Sequence, residues 1–139
     1  MPSPSPGLQA ARLIWQHWQA GSTLDQLPQD CRPGDRAQGY AAQACLPEAA
    51  MRDVLGWKIA ATSTAGQKHI NVSGPLAGRI LSGQVLAPGA LVPAQGNRMR
   101  VAEPEMAFVL GRDLPARDKA YTTAEVMALA VAREVLFVR

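Results

Sequence analysis

A chain of 139 residues, 47% hydrophobic and 18% charged, has the size and composition of one ordinary globular domain and is long enough to bury a core. Its formal charge of +3 comes from 14 basic and 11 acidic residues that are interspersed, with no Lys/Arg block to track a phosphate backbone, which argues against a nucleic-acid partner. Cys31 and Cys45 lack CxxC spacing and neighbouring His pairs, so they fit reduced thiols better than a zinc site or a disulfide framework; with no secretory leader and no apolar run of membrane-spanning length, the expectation is a cytoplasmic protein without a membrane partner.

Residues 1–7 are rich in Pro and Ser and are expected to form a disordered tail. Leu8, Ala11, Ile14, Trp15 and Trp18 recur at helical spacing before Gly21, which predicts an amphipathic helix over 8–20 whose tryptophans face the core. His17, with no second ligand in view, reads as solvent-facing or capped. Asp35 can cap a second helix running through Tyr40 and Ala44, which Pro47 interrupts, and a short helical piece is expected over 48–55. Residues 57–62 have strand character broken by Lys58, and Ser63 to Gly66 read as a cap and turn into a short helical stretch. His69 reads as a loop residue rather than a base. Between 73 and 95, glycines and prolines recur among Leu, Ile and Val, which suits short strands joined by tight turns.

The clearest strand is 99–110. Its period of two puts Val101, Glu103, Glu105, Ala107 and Val109 on one face and Met106, Phe108 and Leu110 on the other. Pro104 lacks an N–H, so the strand is expected at an edge, bulged or locally unpaired beside the two carboxylates. Residues 122–125 (TTAE) form a capping box for a helix through Ala130, and 135–138 read as the start of a further strand.

Glu103 and Glu105, two apart on one face, lie about 7 Å apart at Cα, close enough to converge on one cation. A hard divalent ion suits them because it takes oxygen ligands, usually one or two carboxylates with waters and substrate oxygens. Spacing alone fits a solvated strand face equally well, and that is the commoner case. By the same standard Lys58 reads as a lysine snorkelling to the surface, and Thr62 and Ser63 read as caps.

The run Val101-Ala102-Glu103-Pro104-Glu105-Met106-Ala107-Phe108-Val109-Leu110-Gly111-Arg112-Asp113-Leu114 resembles the metal-ligating strand and following turn of the 2-keto-4-pentenoate hydratases, of the fumarylacetoacetate hydrolase superfamily. Upstream, Arg32-Pro33 with Gly39-Tyr40-Ala41-Ala42-Gln43 resembles the family's second helix, and Gly56-Trp57-Lys58-Ile59-Ala60-Ala61-Thr62-Ser63 its G-x-K strand; Gln67 and Gly74-Pro75-Leu76-Ala77-Gly78 follow in the family's order. The similarity runs from about residue 8 to about residue 132, in several collinear motifs.

The resemblance implies an α+β fold: an N-terminal helical and mixed region over 8–72 leading, over 73–139, into a truncated fumarylacetoacetate-hydrolase-like β-roll. It implies a hydro-lyase of aromatic-compound degradation that adds water to 2-hydroxypenta-2,4-dienoate-type 2-keto acids with Mg²⁺ or Mn²⁺. Glu103 and Glu105 would be two of three acidic metal ligands. Lys58 would be a buried cation that orients the substrate carboxylate or assists proton transfer, and Thr62, Ser63 and Gln67 would contact substrate. The sister activity, a 4-oxalocrotonate-type decarboxylase, uses a similar site, and a non-catalytic remnant of the family is the reading from another class. After residue 132 the sequence departs from the family's approach to its third acidic ligand, and Glu134 is expected on the last helical turn, early for that role. The implied roll is therefore incomplete, and a homo-oligomer is expected where it is completed.

Overall fold

The computed structural model describes residues 3–93 and 97–138, with the backbone alone at 132–134 and 136–138. The chain is mixed α and β, with two separate two-stranded antiparallel sheets. It divides into two compact units, Met1–Leu91 and Val92–Arg139.

In the first unit, helix α1 (Pro6–Ala20) begins two residues before the apolar pattern does, because Ser5 caps it through Leu8 N and Pro6 starts its first turn. Gly21, at φ 62°, ends it in the left-handed conformation, with Ser22 N bonded back to His17 O at 2.9 Å. Helix α2 (Arg36–Ala44) is capped by the Asp35 carboxylate on Gln38 N, as the sequence predicts, and Pro47 falls in the first turn of a new helix, α3 (Leu46–Ala50). The helical piece expected over 48–55 is thus shorter. Met51 takes a left-handed conformation at φ 52°, and Val54 and Leu55 join strand β1 (Val54–Ala60) instead. Pairing decides this: Val54 lies opposite Leu81 of β2 (Leu76–Leu81), and Ser82 N bonds Asp53 O at 2.8 Å.

Two small buried clusters hold this unit. Ala10, Cys31 and Ala42 pack together with Leu13 and Leu27 against them. Leu46, Ala50 and Leu81 form the second, covered by Trp15. Leu81 has no exposed surface, worth about 2 kcal/mol of apolar burial. The tryptophan stripe divides: Trp15 packs on the core, whereas Trp18 meets it edge-on at 5.7 Å and is half-exposed. Among the described residues of the stretch 73–93, β2 is the sole strand; residues 94 and 95 of the expected strand-rich stretch, and Met1 and Pro2 of the expected tail, lie outside the described residues.

Helix α2 closes the outer edge of β2. Tyr40 and Gln43, one helical turn apart, present side chains to one place. The Tyr40 hydroxyl accepts from Ala77 N at 3.1 Å, and Gln43 Nε2 donates to Ala77 O at 2.9 Å. Two polar side chains thereby do for the edge what a third strand would do. Replacing Gln43 by Ala leaves a half-buried carbonyl without its donor and is expected to destabilise the unit by about 1–2 kcal/mol; a urea midpoint equal to wild type would show that water substitutes freely.

In the second unit, β3 (Ala102–Leu110) and β4 (Ala130–Val138) pair antiparallel along their whole length, with no bulge at Pro104, which faces Leu136 in the register. The expected edge position holds, since β4 is the sole neighbour of β3 among the described residues. The helix expected through Ala130 is only one turn and a half, α5 (Thr123–Met127), and β4 begins where that helix was expected to continue. The capping box is present as predicted. Glu125 accepts from Thr122 N at 2.7 Å and takes both oxygens to Arg117, whose guanidinium lies 3.6 Å over Tyr121. The bonds from the Thr122 backbone and hydroxyl, then the one from Arg117, hold the Glu125 carboxyl below its ordinary value. What this cap contributes is therefore present at neutral pH and lost as pH falls through that lowered value.

Candidate functional site

Lys58 sits mid-strand on β1, on the half-covered face shared with Gly56 and Ala60, directly opposite Gly78 of β2. It is half-buried rather than buried. Gly78 opposite it presents no side chain, so the sheet surface beside the lysine stem stays low. A Cβ there would meet nothing closer than Lys58 O at 3.8 Å, so backbone crowding does not demand the glycine.

The three polar candidates follow the end of β1. Ala61 turns the chain with φ 56°, a left-handed conformation that non-glycine residues adopt at some energetic cost. Gln67 Nε2 donates to the carbonyl of that same Ala61 at 3.0 Å, bracing the turn. Ser63 is the N-cap of α4 (Thr64–His69), its hydroxyl accepting from Gly66 N at 3.1 Å, while Thr62 is exposed beside it. His69 is the last helical residue, not a loop residue, because that cap carries the helix through it. His17 is held as expected, with Nδ1 and Ser22 Oγ 2.7 Å apart.

In the other unit, Glu103 and Glu105 share one face of β3, and that face is the more covered one. Both are half-buried together with Ala107, whereas Met106 and Phe108 on the opposite face are 59% and 53% exposed. The alternation is the predicted one. Glu105 pairs with Val135 and Glu103 with Phe137. Glu134, expected on a helical turn, lies on β4 opposite Met106, one residue out of step with the positions that pair with the two glutamates.

Paired carboxylates on a half-covered strand are donors of the kind a hard divalent cation takes. Among the described residues no group of three or more His, Cys, Asp or Glu comes together. Lys58, Thr62, Ser63 and Gln67 belong to the first unit and Glu103 and Glu105 to the second. Among the described residues no helix is long and apolar enough to cross a membrane. Sequence reasoning passed over Tyr40 and Gln43 except as family signature, and passed over Arg79, whose contacts are all made across the fold.

The mixed α and β chain thus offers an acid pair on one strand and a lysine on another. No family model matches it. Over 100 residues, 70% of this chain and 38% of the relative, it is 33% identical to a 2-keto-4-pentenoate hydratase of Burkholderia vietnamiensis. Over 108 residues, 76% of this chain and 40% of the relative, it is 30% identical to the TodF product hydratase of Pseudomonas putida. The chain is thus similar to these hydratases over most of its own length, and it spans about two fifths of the length of the curated relatives it matches.

Proposed function

We propose that the chain carries part of the site of a metal-dependent hydratase acting on 2-hydroxypenta-2,4-dienoate-type 2-keto acids in the cytoplasm, within a fumarylacetoacetate-hydrolase-like roll that oligomerises when complete. The observation that carries the reading is the identity to two proteins named hydratases, together with a carboxylate pair and a strand lysine of the types such chemistry needs. Glu103 and Glu105 hold a divalent cation, Mg²⁺ or Mn²⁺. When bound, that cation supplies Lewis-acid stabilisation of the negative charge developing on the substrate's 2-oxygen. Lys58 orients the substrate carboxylate or passes a proton as the dienol ketonises, the step that makes addition of water across the terminal double bond easier. Thr62, Ser63 and Gln67, on the braced turn after β1, contact the substrate's polar end.

The test is loss of the ultraviolet absorbance of 2-hydroxypenta-2,4-dienoate with Mg²⁺ or Mn²⁺, for the chain itself and for a version extended with the remaining part of a relative. Turnover is expected in the extended version and little or none in the chain itself, because a two-carboxylate site open to water loses the low dielectric in which charge stabilisation is effective. An extended protein that is folded and metal-loaded yet leaves the dienoate untouched refutes the hydratase reading. Equal rates in the two proteins refute the claim that the short chain's ligand set is too small.

A further inference from the structure

Arg79 of β2 and Trp57 of β1 are cross-strand partners on the face of the first sheet opposite Lys58. The guanidinium carbon lies 4.6 Å from the centre of the Trp57 ring, and one terminal nitrogen donates to Gln43 Oε1 at 2.8 Å. Gln43 is itself anchored on Ala77 O by its other amide atom, so the guanidinium lies between the Trp57 ring and an amide that is itself fixed. Arginine has five N–H donors in a rigid planar fork, and the bond to Gln43 uses one of them. Arg79 is half-buried, and among the described residues it has no carboxylate within ion-pair distance. Next to it on the same face, Trp57 and Ile59 are 51% and 45% exposed.

A half-buried cation, oriented in advance and flanked by open aromatic and aliphatic surface, is built to receive a group that is negative at one end and flat and apolar behind it. We infer that Arg79, Trp57 and Ile59 form a binding site for an organic carboxylate carrying a planar unsaturated or aromatic group. Its carboxylate accepts from the remaining guanidinium donors, and its plane lies against Trp57 and Ile59. Ordering the fork through Trp57 and Gln43 lowers the entropy lost per hydrogen bond formed, which is the advantage of arginine over lysine here. Because Lys58 lies on the opposite face, this site does not depend on the hydratase reading.

The probe is sodium benzoate, titrated into the intact chain while the indole N–H resonance of Trp57, identified by its absence in Trp57→Phe, is followed by NMR. A saturable shift with a midpoint of about 1–10 mM is expected. Acetate and inorganic phosphate, which lack the plane, and benzamide, which lacks the charge, should each bind at least about tenfold more weakly. Arg79→Lys, which keeps the charge and removes the fork, should weaken benzoate about tenfold or more, and Lys68→Met, which removes an exposed cation of α4, should leave it unchanged. Should Arg79→Lys unfold, Ile59→Glu decides the matter, since it sets a carboxylate on the exposed face beside the guanidinium and should abolish benzoate binding with the fold kept. No saturable shift in the wild type overturns the inference. So does benzamide binding as well as benzoate, or benzoate binding that survives Ile59→Glu or is lost in Lys68→Met.

Discussion

Replacing Glu103 or Glu105 by alanine, in the chain extended with a relative's remaining part, is expected to remove divalent-metal binding while leaving the protein folded. The two side chains share the half-covered face of β3, about one pleat repeat apart, near enough to ligate one cation together. Removing either charge deprives the cation of an ionised ligand, and the affinity should fall by about two orders of magnitude, ~3 kcal/mol. The fold should tolerate the change, because both positions lie within a nine-residue strand whose register is continuous on either side. Strand propensity costs at most ~1 kcal/mol for such a substitution. Isothermal calorimetry with Mn²⁺ decides it, and an affinity unchanged in either variant takes that glutamate out of the ligand set. If instead both variants unfold, the pair serves the hairpin and not a cation.

What could be read from sequence alone was local. Asp35, Ser63 and Thr122 with Glu125 announce their helices because a cap is made within three or four residues of itself, and each bond is present. The alternation of β3 was legible for the same reason. Cross-strand choices were not. Ala130 to Glu134 has the Ala, Arg and Glu content of a helix, but pairing with β3 draws it into β4, and Val54 and Leu55 leave their expected helix for β1 likewise. The covering of a face is more remote still: nothing in the sequence says that Met106 and Phe108 stay open while the glutamates between them are half-covered. Of the candidate site, the residue types Lys58, Glu103 and Glu105 were visible, whereas Arg79 was not, since what fixes it comes from Gln43, 36 positions away.

Lys58→Met in the extended protein is expected to keep metal binding and lose turnover by about 100-fold or more, the range over which a positioned proton donor or acceptor contributes. Methionine preserves the length and packing of the lysine stem against the half-covered face of β1 and removes only the charged head. The position opposite is Gly78, which leaves room for either side chain. The two roles open to Lys58 separate in the kinetics. If it orients the substrate carboxylate in ground state and transition state alike, KM rises and kcat holds; if it moves the proton during ketonisation, kcat falls with KM nearly unchanged. A proton role further predicts that Lys58→Arg, which keeps the positive charge but cannot give up its proton at working pH, fails to restore kcat, whereas an orienting role predicts that it restores much of kcat/KM. Wild-type rates in Lys58→Met with metal bound would remove the lysine from the site and leave the turn after β1, Thr62 to Gln67, as the first unit's remaining candidate contact with substrate.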